Sequence, residues 1–381
     1  MELPLDYPTL RVIWWGLLGV LLIGFALTDG YDLGVATLLP FVAKTDAERR
    51  LVINTIGPMW EGHQVWLILG GGAIFAAWPY VYAVSFSGFY LAMFVVLSAL
   101  ILRPVGFKYR SKRDSAVWRN SWDWALFIGG FVPALIFGVA VGNVLRGVPF
   151  DFDSMLRATY EGGLFGLLNP FALLAGLISV AMLVMHGASW IVVKAEKGPV
   201  RDRAARFGSI AAMLTIVLFV IAGVWAATIL PGYTITSDVL LDGPSNPMRK
   251  AVSVEAGAWL NNFVRYPWMV LAPLMAVAGA FLAAVSLGKK RNAASLAGSA
   301  MSVFGVVATA GVSMFPFILP SSLNPDASLT VWDSSSSHGT LFFMLIMTAI
   351  FVPLIVFYTS WVFKVLWGRV TSEQAASPGS Y

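Results

Sequence analysis

Long apolar runs separated by short polar connections fill the chain from about residue 11 to residue 367. A helix that crosses a bilayer needs roughly 20 mainly apolar residues, and these runs reach that length. We predict nine transmembrane helices, at residues 11–40, 58–77, 80–102, 122–144, 166–192, 207–229, 266–288, 294–318 and 339–363. An eight-helix alternative treats residues 58–77 as a loop, but it leaves the apolar run 65–78 unexplained.

The predicted fold class is an all-α polytopic membrane protein. Helices one to four and five to eight would both start on the same side of the membrane. That topology permits two four-helix bundles in parallel repeat, followed by a ninth helix. The corresponding divisions are residues 1–145 for the first bundle, 146–320 for the second, and 321–381 for the ninth helix and a cytoplasmic tail.

Composition supports this class and excludes several others. Hydrophobic residues make up 58% of the chain, charged residues 12%, and the mean hydropathy is +0.77, which excludes a soluble domain. Cysteine is absent, so disulfides, thiolate metal ligands, iron–sulfur clusters and cysteine nucleophiles are excluded as well. The N-terminus lacks the pattern of a cleaved signal peptide, and we expect the first apolar run to be a retained helix.

The basic residues predict the orientation. Most of them cluster at residues 44–50, 103–119, 194–206, 289–291 and 364–369, which lie on one side in the nine-helix topology. By the positive-inside rule this side is the cytoplasm, with the N-terminus outside and the C-terminus inside. Membrane orientation therefore explains the net charge of +5, and no nucleic-acid partner is expected.

Two carboxylates occur within the first apolar run. Asp29 and Asp32 are three residues apart and share one helix face, inside the segment GFALTDGYDLG. An aspartate at a helix centre costs about 2.5 to 3.5 kcal/mol on insertion scales, so its presence indicates a functional role. The alternative is that the span ends at Thr28 and that both acids face water or cap a neighbouring helix.

A third acid, Glu61, lies one turn after Pro58 at the start of the second predicted helix. The helix dipole favours an acid there, so a purely structural role is an alternative. Helices one and two are antiparallel neighbours, however, and their acids fall at the same depth. Clustered carboxylates repel one another's ionised forms, and we therefore hypothesise a proton relay through Asp29, Asp32 and Glu61.

Histidine and arginine complete the candidate residues. The three histidines, His63, His186 and His338, are not at ligand spacing, so we expect this chain to ligate no haem or other metal. For His186 we favour a hydrogen-bonded histidine within the bundle. Arg103, at the end of a predicted span, is interpreted either as a carboxylate partner or as a cation extending to the membrane surface, and we favour the second.

Eight segments together resemble a known family: GFALTDGYDLG, PMWEGHQVW, FSGFYLAM, LRPVGFKYRSK, WRNSWDW, LNPFALLAG, MFPFILPSS and LTVWD. In order, length and topology the chain is similar to subunit II of the cytochrome bd quinol oxidases, including the cyanide-insensitive branch. The resemblance runs over nearly the whole chain.

The resemblance implies a respiratory terminal oxidase of the bacterial inner membrane that oxidises quinol, reduces oxygen to water and generates a proton motive force. Haem b, haem d and the quinol site would belong to a partner, subunit I. Small single-helix accessory subunits are possible further partners. Subunit II would stabilise subunit I and supply protons through Asp29, Asp32 and Glu61, with Arg103 nearby.

This chain departs from the family pattern at two neighbouring positions. Glu61 occupies a site where Asp also occurs, and His63 stands where Asn is common. His63 adds a titratable group that either extends the relay or donates a hydrogen bond to Glu61. Two rival functions remain at this stage: a proton-coupled secondary transporter, and a structural subunit whose acids only pack.

Overall fold

The computed structural model describes residues 3–289 and 291–377. Its helices are α1 (Tyr7–Val42), α2 (Asp46–Asn54), α3 (Trp60–His63), α4 (Val65–Ala77), α5 (Pro79–Gly88), α6 (Tyr90–Leu100), α7 (Leu102–Tyr109), α8 (Ala116–Arg146), α9 (Pro170–Lys194), α10 (Pro199–Thr228), α11 (Asn261–Arg265), α12 (Leu271–Gly288), α13 (Asn292–Met314), α14 (His338–Val365) and α15 (Ser372–Ala376).

Three short antiparallel hairpins lie in the connections between helices. They pair β1 (Phe150–Phe152) with β2 (Ala158–Tyr160), β3 (Pro231–Ile235) with β4 (Val252–Ala256), and β5 (Phe317–Leu319) with β6 (Leu329–Thr330). The helices form the body of the protein, which confirms the predicted all-α polytopic class.

Eight helical segments in the described part of the chain are long and apolar enough to cross a membrane. The predicted span 58–77 does not qualify, because it is divided into the four-residue α3 and the 13-residue α4. The span predicted at 80–102 is also interrupted, at Phe89 between α5 and α6. Both segments are nevertheless helical rather than loops, so the eight-helix alternative is wrong about residues 58–77.

Contacts between connections define one end of the bundle, here called the basic end. Asp123 at the start of α8 accepts hydrogen bonds from Arg49 at 2.6 Å and from Arg110 at 2.6 Å. Arg203 donates to Glu48 at 2.6 Å, and a tail segment is joined to α9 by the bond from Lys194 Nζ to the carbonyl of residue 366, at 2.7 Å. Four of the five predicted basic clusters, 44–50, 103–119, 194–206 and 364–369, therefore meet on one side; residue 290 of the fifth lies outside the described residues.

The three connections that contain the β hairpins lie at the opposite end. Arg11, fully buried in α1, donates to Ser335 Oγ at 2.8 Å and to the carbonyls of Leu241 and Gly243 at 2.6 and 3.0 Å. The end of α4 lies here too, since the Ser336 N–H donates to the carbonyl of residue 77 at 2.7 Å. The chain therefore passes from one end to the other between residues 58 and 77, as the nine-span topology requires.

Helices α1 and α9 cross in close contact. At the crossing Gly34 of α1 lies against the backbone of Leu183 in α9, and a Cβ on Gly187 would lie 2.5 Å from the Gly34 carbonyl carbon. Only residues without a side chain permit this approach. The division of the chain into two four-helix bundles stays a prediction.

Candidate functional site

Four buried ionisable side chains meet where α1, α3 and α7 come together. Asp29 and Asp32 belong to α1, His63 to α3 and Arg103 to α7, and their exposed fractions are 0%, 0%, 2% and 0%. We call these four residues the buried cluster. Charged groups inside a membrane protein are rare and are compensated by partners, so each contact within the cluster bears on its chemistry.

Asp29 and Arg103 form a two-pronged ion pair. Arg103 Nη1 donates to Asp29 Oδ2 at 3.0 Å and Nη2 donates to Oδ1 at 2.9 Å. The arginine has room because Gly129 of α8 has no side chain: a Cβ at that position would lie 2.9 Å from the Arg103 Cγ. Our preferred interpretation of Arg103 as a cation extending to the membrane surface was wrong: its side chain points inward, where a paired carboxylate stabilises it better than apolar neighbours would.

Asp32 is held differently from Asp29. Its Oδ2 accepts a hydrogen bond from His63 Nδ1 at 2.7 Å and lies 3.7 Å from Arg103 Nη2. Its Oδ1 is buried and has no hydrogen-bond partner among the described residues. Both oxygens of Asp29 are occupied by a guanidinium, whereas Asp32 keeps one oxygen available, so Asp32 is the carboxylate that is better placed to take up a proton.

The second imidazole nitrogen of His63 also has a partner. Its Nε2 lies 3.2 Å from the hydroxyl oxygen of Tyr31. The Tyr31 ring stacks on Trp190 of α9 with centroids 4.0 Å apart and planes at 13°, and the His63 ring stacks on Phe363 of α14 at 5.7 Å. Helices α1, α3, α9 and α14 thus all hold this imidazole.

Sequence reasoning missed Tyr31 and Trp190. Tyr31 lies between the two acids in the sequence, and Trp190 follows His186 by four residues and so shares its helix face. The i, i+4 spacing of His186 and Trp190 was the sequence signal that these two side chains lie on one helix face. Aromatic residues in membrane proteins are often interface anchors, so the spacing alone does not distinguish that role from a buried contact.

Glu61 is not part of the buried cluster, contrary to the expectation that all three acids cluster. It is exposed on the surface of the chain, and no described residue donates a hydrogen bond to it. Residues two positions apart on a helix do not share a face, so the turn that buries His63 directs Glu61 outward. The alternative that His63 donates a hydrogen bond to Glu61 is therefore wrong: its partners are Asp32 and Tyr31.

The contacts of the histidine nitrogens bear on whether this chain can ligate haem. His63 uses both of its nitrogens within the chain, and so does His186, which contacts Ser299 Oγ at 2.9 Å and the Leu27 carbonyl at 3.0 Å. The latter confirms a hydrogen-bonded histidine within the bundle. His338 Nε2 donates to the Leu5 carbonyl at 2.7 Å. In residues 3–289 and 291–377 no group of three or more acidic or histidine side chains is arranged to hold a metal. His63 and His186, with both nitrogens bonded within the chain, do not fit an axial haem ligand, whereas only Nε2 of His338 has a described partner.

Mainly apolar residues line the region between the buried cluster and the basic end. The part of α1 that follows Asp32 packs against α2 through side chains such as Leu39, Val52 and Ile56, all almost completely buried. The buried polar side chains of this contact are Thr37 and Thr55, and their hydroxyls donate to the helix carbonyls of Leu33 and Val52. The polar side of the cluster is instead at His63 and Tyr31.

Comparisons with known proteins agree with one another. Residues 10–366 match the family described as cytochrome bd terminal oxidase subunit II. The chain is 52% identical to the probable cytochrome oxidase subunit 2 of Haemophilus influenzae, with 97% of each chain covered. It is 48% identical to the cytochrome bd-I ubiquinol oxidase subunit 2 of Escherichia coli K12, again with 97% of each covered.

A more distant relative and a solved structure also match over nearly the whole chain. The cytochrome bd ubiquinol oxidase subunit 2 of Bacillus subtilis is 31% identical, over 96% of this chain and 98% of its own. Among solved structures, a chain of the bd oxidase from Geobacillus thermodenitrificans matches with a TM-score of 0.61 at 15% identity, covering 95% of this chain and all of that one. At that identity the structural match supports the fold alone.

The ion pair yields a prediction about stability. Replacing Arg103 by Met leaves Asp29 buried without its partner, which we expect to cost about 3–5 kcal/mol of unfolding free energy. The double variant D29L/R103M removes both charges and should regain most of that loss. Thermal unfolding of the purified protein measures both effects.

The matched control is Arg265→Met. Arg265 is an exposed arginine at the opposite end, with its guanidinium 5.6 Å from the Tyr266 ring centroid, and its removal should change the melting temperature little. An R103M variant as stable as R265M would contradict the assigned role of the Asp29–Arg103 pair.

Proposed function

Because the chain belongs to the family of cytochrome bd terminal oxidase subunit II, we propose that it carries protons towards the partner subunit at which oxygen is reduced. Membership confirms the resemblance in the sequence. The chain is a subunit of an oxidoreductase complex that contains haem, and it is a multi-pass membrane protein. The complex requires at least one further subunit, and we propose that this partner carries haem b, haem d and the quinol site.

One observation carries the proton-transfer proposal. Asp32 and His63, both almost completely buried, share a 2.7 Å hydrogen bond, while the second oxygen of Asp32 has no partner among the described residues. A carboxylate and an imidazole in contact can exchange one proton over a short distance. Asp29, whose two oxygens both accept hydrogen bonds from Arg103, stays ionised beside them and takes no part in the exchange.

Glu61 extends this route to the surface of the chain. It belongs to the same short helix as His63 and is exposed, on a segment that we predict to cross the membrane. An ionisable side chain in such a segment faces a water-filled cavity or a protein partner rather than lipid tails. We therefore place Glu61 at the contact with the haem-bearing subunit or in a crevice beside it, as the group that exchanges protons between the two chains.

We infer the direction of proton transfer from the basic residues at one end of the bundle. The basic end would face the cytoplasm by the positive-inside rule, with the N-terminus in the periplasm. Protons taken up from the cytoplasm and consumed in oxygen reduction would contribute to a proton motive force. The apolar packing of α1 against α2 favours entry beside α3 over entry along α1.

Replacing Glu61 by Gln tests the route at its exposed point. Gln keeps the size and polarity of the side chain but holds no exchangeable acid, so we expect oxygen consumption by the purified complex to fall by roughly tenfold or more. The matched control is E255Q, which alters an exposed glutamate of β4 at the opposite end. If E61Q and E255Q both retain normal oxygen consumption and normal proton uptake, the acids are structural and the relay is wrong.

The orientation is testable because the chain has no cysteine. We expect a cysteine introduced at Ser154, exposed in the β1–β2 connection, to react with a membrane-impermeant maleimide in intact cells. A cysteine introduced at Ser111, exposed at the basic end, should react only after the membrane is opened. The reverse pattern would contradict the proposed orientation.

A further inference from the structure

Tyr31 contacts the one nitrogen of His63 that the acids leave free. We propose that Tyr31 is a positioning residue for the imidazole, because its hydroxyl provides His63 with a hydrogen-bond partner in both protonation states. This inference rests on the proposed function of the buried cluster and adds to it a residue outside the predicted pathway.

The contacts assign the hydrogens when Asp32 is ionised. A carboxylate only accepts hydrogen bonds, so His63 Nδ1, 2.7 Å from Asp32 Oδ2, must carry the hydrogen. In a neutral imidazole the other nitrogen, Nε2, is then an acceptor, and the Tyr31 hydroxyl 3.2 Å away donates to it. Asp32 thus determines that Nδ1 carries the hydrogen, and Tyr31 donates a hydrogen bond to the unprotonated Nε2.

The same contacts serve the protonated imidazole. When Nε2 gains a proton, both nitrogens donate: Nδ1 to Asp32 and Nε2 to the Tyr31 oxygen, whose own hydrogen rotates away. The hydroxyl therefore changes from donor to acceptor without movement of either ring. One proton has been added to the imidazole, and neither of its two hydrogen bonds has been lost.

Packing keeps the tyrosine in place for this exchange. Its ring lies on Trp190 at 4.0 Å, and Trp190 is itself held by a 3.0 Å hydrogen bond from its indole N–H to the Thr55 carbonyl. His63 is also confined, since it lies edge-on to Tyr31 and stacks on Phe363. A rigid pair of rings allows the hydroxyl hydrogen to be the only part that moves.

The charged and titratable groups around the pair come from four helices. Asp29 and Asp32 face it from α1 and Arg103 from α7; Glu61 lies on α3, directed outward; and His186 of α9 has its ring 5.9 Å from that of Tyr31. Asp29 and Arg103 neutralise each other. The imidazolium charge is thus balanced chiefly by Asp32, and Tyr31 supplies the remaining polar contact.

Substitution of Tyr31 by Phe removes only this hydroxyl. The imidazolium would then carry a buried N–H without an acceptor, which is more costly than a bare nitrogen on the neutral ring. We expect roughly tenfold less imidazolium at a given pH, so that the midpoint of the imidazolium infrared band moves about one pH unit towards acid. The band is measured on the purified complex with labelled histidine and is assigned to His63 by its loss in H63N.

Tyr233→Phe is the matched control. Tyr233 is a buried tyrosine at the opposite end, and its hydroxyl donates one hydrogen bond to the Arg146 carbonyl at 3.2 Å. Y233F should leave the His63 band in place. Unchanged haem absorption spectra in Y31F and Y233F establish that both complexes are assembled.

A second measurement tests whether Tyr31 acts through His63. If it does, the pH profile of oxygen consumption in Y31F/H63N should equal that of H63N alone. A His63 band that titrates in Y31F as in the unaltered complex would overturn the inference, as would additive effects in the double variant. If Y31F leaves the His63 band in place while E61Q slows oxygen consumption, only the role of Tyr31 is rejected. If Y31F shifts the band but E61Q leaves oxygen consumption unchanged, the relay is rejected and the hydrogen-bond assignment stands.

Discussion

The bidentate pairing of Asp29 with Arg103 is the constraint on which the rest of the site depends. Two opposite charges buried in a membrane protein are tolerated only when their geometry is close to ideal, and here both carboxylate oxygens are within 3.0 Å of the guanidinium. The pair ties α1 to α7, and it requires Gly129 of α8 to leave space for the arginine stem. Asp32 and His63 are buried beside a site that is already neutral.

That arrangement gives the two acids different environments, although they are three residues apart on one helix. Both oxygens of Asp29 accept hydrogen bonds from Arg103. One oxygen of Asp32 accepts a hydrogen bond from His63, and the other has no described partner. The contact between α1 and α2, on the side of the basic end, is largely apolar. One small region therefore contains a fully paired carboxylate, a carboxylate whose second oxygen has no described partner, and a largely apolar contact between two helices.

Much of this was accessible from the sequence, and the limits have physical causes. Apolar runs and basic clusters predicted the helices and the side on which their connections meet, and ionisable residues within those runs singled out Asp29, Asp32, His63 and Arg103. The direction of Glu61 depends on the rotation of a four-residue helix, and the partner of Arg103 depends on a contact between residues 74 apart. Tyr31 was missed because its role arises only when α3 places His63 against α1.

The most direct test is proton uptake by the D32N complex during a single turnover with oxygen, followed with a pH indicator on the cytoplasmic side of reconstituted vesicles. Asn fills the same space and still accepts from His63, but it cannot hold an acidic proton. If Asp32 carries protons, the uptake phase should slow by roughly tenfold or more while haem content is unchanged. Uptake at the rate of the unaltered complex would contradict the account.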